Sequence, residues 1–106
     1  MTFARVNIDL SVGYGSDIDK VEKIVNRIGK KLAADPEDGK KYIEPITFKR
    51  VKDFGDSAII VKVLGKVKPG FQWKAAGNFR HEIKKAFEKH SIEIPYPQRV
   101  IHTKKR

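Results

Sequence analysis

Arg5-Val6-Asn7-Ile8-Asp9-Leu10-Ser11-Val12-Gly13-Tyr14-Gly15-Ser16-Asp17-Ile18-Asp19 changes its period half-way along. Over the first eight residues Val6, Ile8, Leu10 and Val12 share one parity, while Arg5, Asn7, Asp9 and Ser11 share the other. This alternation predicts a strand with one buried face. Gly13-Tyr14-Gly15 breaks it. Ser16, with Asp19 three residues on, reads as a capping box, and Asp17 and Asp19 suit the positive end of a helix. From there Ile18, Val21, Ile24, Val25, Ile28 and Leu32 recur at three- and four-residue spacing, which predicts an amphipathic helix to about Ala34. Gly29 weakens that helix and marks a point of close packing.

Outward from this βα unit, Asp35-Pro36-Glu37-Asp38-Gly39-Lys40-Lys41 has no apolar residue and reads as a loop. A second strand is predicted over Ile46–Phe54, with an irregularity near Arg50 and Val51, where the alternation slips. Gly55-Asp56 turns the chain into a third strand, Ser57–Val67. Its middle is apolar at both parities, which places it centrally in the sheet. Lys68-Pro69-Gly70 turns again. A second helix is expected over Gln72–His90, with Ala76, Phe79, Ile83, Ala86 and Phe87 as its buried stripe. Lys74, His81, Lys84, Lys85 and Glu88 lie away from that stripe. Ile92 and Ile94 follow as a short fourth strand, ended by Pro95. The predicted fold is α+β: a ferredoxin-like β-α-β-β-α-β chain, with an antiparallel sheet, both helices on one face, and an extended C-terminal tail.

The chain has 106 residues, 40% hydrophobic, enough for one domain with a core. It contains no cysteine, so thiolate metal sites, disulfides and cysteine nucleophiles are excluded. No apolar run approaches the ~20 residues that cross a bilayer, and Met1–Arg5 opens no signal-type apolar run. This segment is therefore not expected to insert into a membrane. The net charge is +10. It concentrates toward the end: residues 71–106 carry nine basic and three acidic side chains, net +6. Lys74, Arg80, Lys84, Lys85 and Lys89 are the candidate basic face. Weak, sequence-independent binding of polyanions is expected from it, falling with salt.

No catalytic constellation emerges. Gly13-Tyr14-Gly15 resembles a dinucleotide loop only superficially, because Ile18 stands where the third glycine belongs. His81, His90 and His102 form no metal-ligand spacing. Phe71 and Trp73 read as core or interface residues. Ser57-Ala58-Ile59-Ile60-Val61-Lys62-Val63 lacks the aromatics with which the RNA-recognition form of this fold stacks bases. Neither a cofactor nor a metal is expected, and an enzyme is disfavoured.

The ordered motifs resemble a known family. Gly13-Tyr14-Gly15-Ser16-Asp17-Ile18-Asp19-Lys20-Val21, Glu44-Pro45 before a strand, Phe54-Gly55-Asp56-Ser57-Ala58, Trp73 at a helix start, and Ile92-Glu93-Ile94-Pro95-Tyr96-Pro97-Gln98 are similar to segments of small-conductance mechanosensitive channels of the MscS type. They fall in the family's order over about residues 5–102. The resemblance departs at two places. Ser91 stands where the family usually has glycine, and Lys74–Arg80 replaces an acidic helix start.

The resemblance implies one C-terminal α/β domain spanning 1–106, with a core of about 5–94 and a tail of about 95–106. It implies a non-enzymatic domain on the cytoplasmic side of the membrane, within a homo-oligomer, usually a heptamer. That oligomer encloses a vestibule passed by ions and small solutes. Pro95, Tyr96, Pro97, Gln98, Arg99, Val100, Ile101 and His102 are the candidate contacts between protomers. The competing expectation is a free-standing ferredoxin-like module that binds nucleic acid or an acidic protein.

Overall fold

In the computed structural model, which describes residues 3–55 and 58–94, the elements run β1 (Ala4–Val12), α1 (Ile18–Ala33), a 3-10 turn (Gly39–Lys41), β2 (Tyr42–Phe54), β3 (Ile59–Val67) and α2 (Gln72–Lys89). The sheet is antiparallel, in the order β1-β3-β2. α1 packs across β2, α2 packs across β1, and the two helices touch each other. The fold is the expected α+β arrangement with both helices on one face. β3 is the central strand, as its two apolar parities predicted.

The alternation in β1 sends Val6, Ile8 and Val12 into the core. β3 contributes Ile59, Val61, Val63 and Val67. The helices close over them with Val21, Ile24, Val25 and Ile28 from α1 and Ala75, Phe79, Ile83 and Phe87 from α2. Each large apolar side chain removed from water stabilises the fold by about 1.5–3 kcal/mol. The buried stripe of α2 includes Ala75, fully buried, whereas Ala76 and Ala86 are only half-buried. The stripe is thus rotated slightly from the predicted one.

α1 starts at a different residue from the expected cap. Asp17 is the N-cap, its Oδ1 accepting from the backbone N–H of Asp19 at 3.0 Å and Lys20 at 3.4 Å. An aspartate there satisfies orphan donors and adds a negative charge to the positive helix end. Gly29 makes the predicted close packing. A Cβ at that position would lie 1.8 Å from the carbonyl oxygen of Ile46. Gly65 on β3 faces the same residue, where a Cβ would lie 2.8 Å from Ile46 Cγ1. Two glycines therefore make room for one buried isoleucine between helix and sheet.

β2 is longer than predicted, beginning at Tyr42. Its pairing with β3 slips between Tyr42 and Glu44, between Glu44 and Thr47, between Phe48 and Arg50, and between Val51 and Asp53. The slip between Glu44 and Thr47 contains Pro45, which has no N–H for a ladder. The last two fall around Arg50 and Val51, where the alternation breaks. The Phe48 N–H donates to Asn26 Oδ1 on α1 at 2.9 Å. The turn Gly39–Lys41 replaces part of the expected loop.

Residues 92–94 form no ladder, unlike the predicted fourth strand. They reach the end of β1, where the Gly13 N–H donates to the Glu93 carbonyl at 3.0 Å. Ile92 and Ile94 pack against the core. Three residues ahead of a proline leave too little backbone to extend a ladder. The segment is delivered by the C-terminus of α2. There the Ile92 N–H donates to the Phe87 carbonyl at 2.8 Å and the Ser91 N–H to the Glu88 carbonyl at 3.2 Å. This is a Schellman ending, and Ser91 holds its left-handed position at φ 58°.

Candidate interaction surfaces

Three segments meet at one end of the sheet. Tyr14 donates its hydroxyl hydrogen to the Gly55 carbonyl, tying the β1–α1 loop to the end of β2. Glu93 holds Gly13 from the other side, and a Cβ on Gly13 would lie 2.6 Å from the Glu93 carboxylate. Gly13 and Tyr14, Phe54 and Gly55, and Ile92–Ile94, which belong to three of the motif stretches, are therefore neighbours in space. Tyr14 at 51% and Phe54 at 66% exposure stand at this end. A hollow beside them is lined by Ser16, Asp17, Lys20, His90 and Ser91.

The outer side of α2 carries the candidate basic face. Lys74 reaches Asp38 at 3.3 Å, Lys84 reaches Glu88 at 2.8 Å, and Lys85 lies 3.9 Å from Glu82. Arg80 and Lys89 are exposed on the same helix. Three of the five expected cations are thus partly neutralised by carboxylates. Trp73 is 75% exposed at the start of α2, so it is not a core residue. Phe71 is, packed edge-on against Tyr42 with ring centroids 5.4 Å apart. A helix boundary places neighbouring aromatics on opposite sides, and the one-dimensional pattern did not resolve which would turn inward.

Lysines hold three carboxylates below their ordinary pKa values. A hydrogen bond from Lys52, with further attraction from Lys52 and Lys62, holds the Asp9 pKa below its ordinary value. Lys41 does the same for Asp38, helped by Lys74, and Lys31 for Glu82. Lys31–Glu82, at 3.0 Å, links α1 to α2. Burial raises the Tyr42 phenol. Among the described residues no group of three or more His, Asp and Glu side chains could hold a metal ion. No helix among them is long and apolar enough to cross a membrane. Pro95 to His102, the candidate protomer contacts, lie outside the described residues, as does His102's part in any histidine grouping.

The family description "Mechanosensitive ion channel MscS, C-terminal" matches residues 6–94. The chain belongs to the MscS mechanosensitive channel family. A curated relative, the small-conductance mechanosensitive channel of Caldanaerobacter subterraneus subsp. tengcongensis, is 24% identical over 94 residues, covering 89% of this chain and 32% of that protein. The crystal structure of Helicobacter pylori MscS in its closed state superposes with a TM-score of 0.72 at 24% identity, over 100% of this chain and 40% of that one. The chain thus spans about a third of the length of the curated relative. The MscS match ends at Ile94, where residues 92–94 meet β1. It is a family of channel domains and not of enzymes.

The open face of the sheet is the surface that sequence reading passed over. Away from the helices, β3 presents Lys62, Leu64 and Lys66, with Arg5 and Asn7 beside them on β1 and Glu44 and Lys49 on β2. Together they line a groove of about 460 Å³. The sequence signal was the polar parity of each strand. It acquires meaning only once the register puts those parities side by side.

Proposed function

We propose that this chain is a non-enzymatic assembly domain of an MscS-type channel, with residues 5–94 as its core and 95–106 as its tail. The observation that supports the reading is the family match over 6–94, together with the convergence of its motif segments at one end of the sheet. In this reading the domain hangs on the cytoplasmic side of the membrane and helps to close a homo-oligomer, a heptamer, around a vestibule passed by ions and small solutes.

Residues 92–94, which precede the tail, meet Gly13 through the Glu93 carbonyl. Pro95 and Pro97 fix the tail's direction, since each locks φ and lacks an N–H. Tyr96 packs at the base, and Gln98–His102 contact a neighbouring protomer. An extended apolar strand such as this is protected or used. Lys74, Arg80, Lys84, Lys85 and Lys89 give the outer side of α2 a positive potential that favours anionic solutes or an acidic partner.

The test is to delete residues 99–106 in the full reading frame and cross-link the protein in membranes. The deletion is expected to lower the yield of the full oligomer and its resistance to detergent. An unchanged oligomer of unchanged stability would remove the tail from the interface.

A further inference from the structure

We propose that the open face of the sheet is a binding site for a soluble multivalent phosphate, of the size of a di- or triphosphate, held by Arg5, Lys49, Lys62 and Lys66. The register carries the inference. Arg5 on β1 stands directly opposite Lys66 on β3, and Lys62 on β3 stands directly opposite Arg50 on β2. Like charges directly opposite one another destabilise a sheet. Here the lysine side chains are also partly withdrawn from water, Lys62 to 18% and Lys66 to 33% exposure. Each lysine faces a carboxylate across its other neighbour, Lys62 facing Asp9 and Lys66 facing Glu44, so two carboxylates stand among Arg5, Arg50, Lys62 and Lys66 and the face keeps an excess of positive charge.

The carboxylates nearby do not balance these cations. Asp9 is shared between Lys52 at 2.8 Å and Lys62 at 3.9 Å, and Glu44 lies 3.6 Å from Lys66. Asp53 stands opposite Ile60 and accepts the Phe54 N–H. Arg5 and Lys49 have no carboxylate partner among the described residues. The cations stand on three adjacent strands, about 10 Å across from the first to the third and about 13 Å along β3 from Lys62 to Lys66 at the backbone, a spread that their long side chains can close. A short phosphate chain presents oxygens along such a span, and each oxygen that bridges two cations turns repulsion into charge-assisted hydrogen bonds.

The groove has the volume of a small-ligand site. Leu64 forms part of its floor, and Asn7 adds an amide. Base stacking is not what it offers. The outward residues of β3 are Ile60, Lys62, Leu64 and Lys66, and the nearby Phe3 ring is covered by the Lys66 ammonium, 4.7 Å from its centroid. The chemistry read is phosphate, not base.

The probe is sodium tripolyphosphate, titrated into the 106-residue chain at 150 mM salt and followed by calorimetry and amide chemical shifts. Shifts are expected at Asn7, Lys62, Leu64 and Lys66, with a rise in Tm of about 5 °C near saturation, since a ligand of the native state alone stabilises it. Arg5→Gln with Lys49→Gln should weaken binding tenfold or more. The same charge change on the outer side of α1, Lys23→Gln with Lys30→Gln, both exposed, should weaken it no more than about twofold, the general electrostatic share. Should the first pair fail to fold, the wild-type shift map decides alone. Equal losses in the two pairs, shifts scattered over α2, or binding to phosphoinositide vesicles without binding to tripolyphosphate would each overturn the site.

Discussion

Ser91→Gly is expected to stabilise this domain. Ser91 ends α2 at φ 58°, a left-handed conformation that costs an L-residue about 1–2 kcal/mol. The local hydrogen bonds hold it there: Ser91 N–H to the Glu88 carbonyl and Ile92 N–H to the Phe87 carbonyl. Ile92 packs against the core beyond the turn, so the chain cannot relax without losing burial. Glycine removes the strain but loses about 0.5–1 kcal/mol more backbone entropy on folding. The difference leaves a gain of about 0.5–1 kcal/mol, equivalent to about 3–6 °C in Tm for a domain of this size. The assay is a thermal melt by circular dichroism, with urea unfolding as a second measure. Ser91→Val is the companion, because a β-branched side chain tolerates this region worst, and it should fall below the wild type by about 1 kcal/mol or more. A Ser91→Gly protein no more stable than the wild type, alongside an unaffected Ser91→Val protein, would mean that α2 does not end in this turn.

Gly29→Ala should cost about 2 kcal/mol or more in urea unfolding, because its methyl would lie 1.8 Å from a backbone oxygen that cannot move alone; a neutral result would separate α1 from β2. Tyr42→Phe should leave stability unchanged or raise it, since the buried hydroxyl has no partner among the described residues; a clear loss in the melt would point to a hydrogen bond. Asp9 and Glu82 titrate below their ordinary values of 3.8 and 4.5, so the unfolded chain takes up their protons first. Their contribution is complete above about pH 4.5 and is lost as the pH falls through the lowered native values. Urea midpoints should therefore drop on acidification below pH 4, and Asp9→Asn with Glu82→Gln should flatten that drop; an equally steep profile would assign the acid sensitivity elsewhere.

Much of the fold was legible because the two periods are clean. β1 alternates without exception, α1 carries an unbroken apolar stripe, and the doubled parity of β3 marks it as central. The legible parts depend on neighbours in the chain. What was lost depends on neighbours in space. Asp17 and Ser16 both suit an N-cap, and only the backbone turn selects between them. The strand was expected to start after Pro45, yet β2 runs through it by slipping its register, with Gly65 and Gly29 vacating room for Ile46. Trp73 and Phe71 are two residues apart, and the helix start sends one into the core and the other to solvent. The basic face was sought on α2, where the lysines are frequent, although several have carboxylate partners there. The more unusual cations lie on the strands, where Arg5, Lys62 and Lys66 are far apart in sequence and adjacent only through β3.

The most direct measurement is patch-clamp recording from membranes of cells that express the full reading frame encoding this chain, with and without residues 6–94. A current that opens with membrane tension is expected from the intact protein, and its loss or a marked fall in channel number is expected when the domain is removed. No tension-activated current from the intact protein, or an identical current without the domain, would contradict its place as an assembly domain of an MscS-type channel.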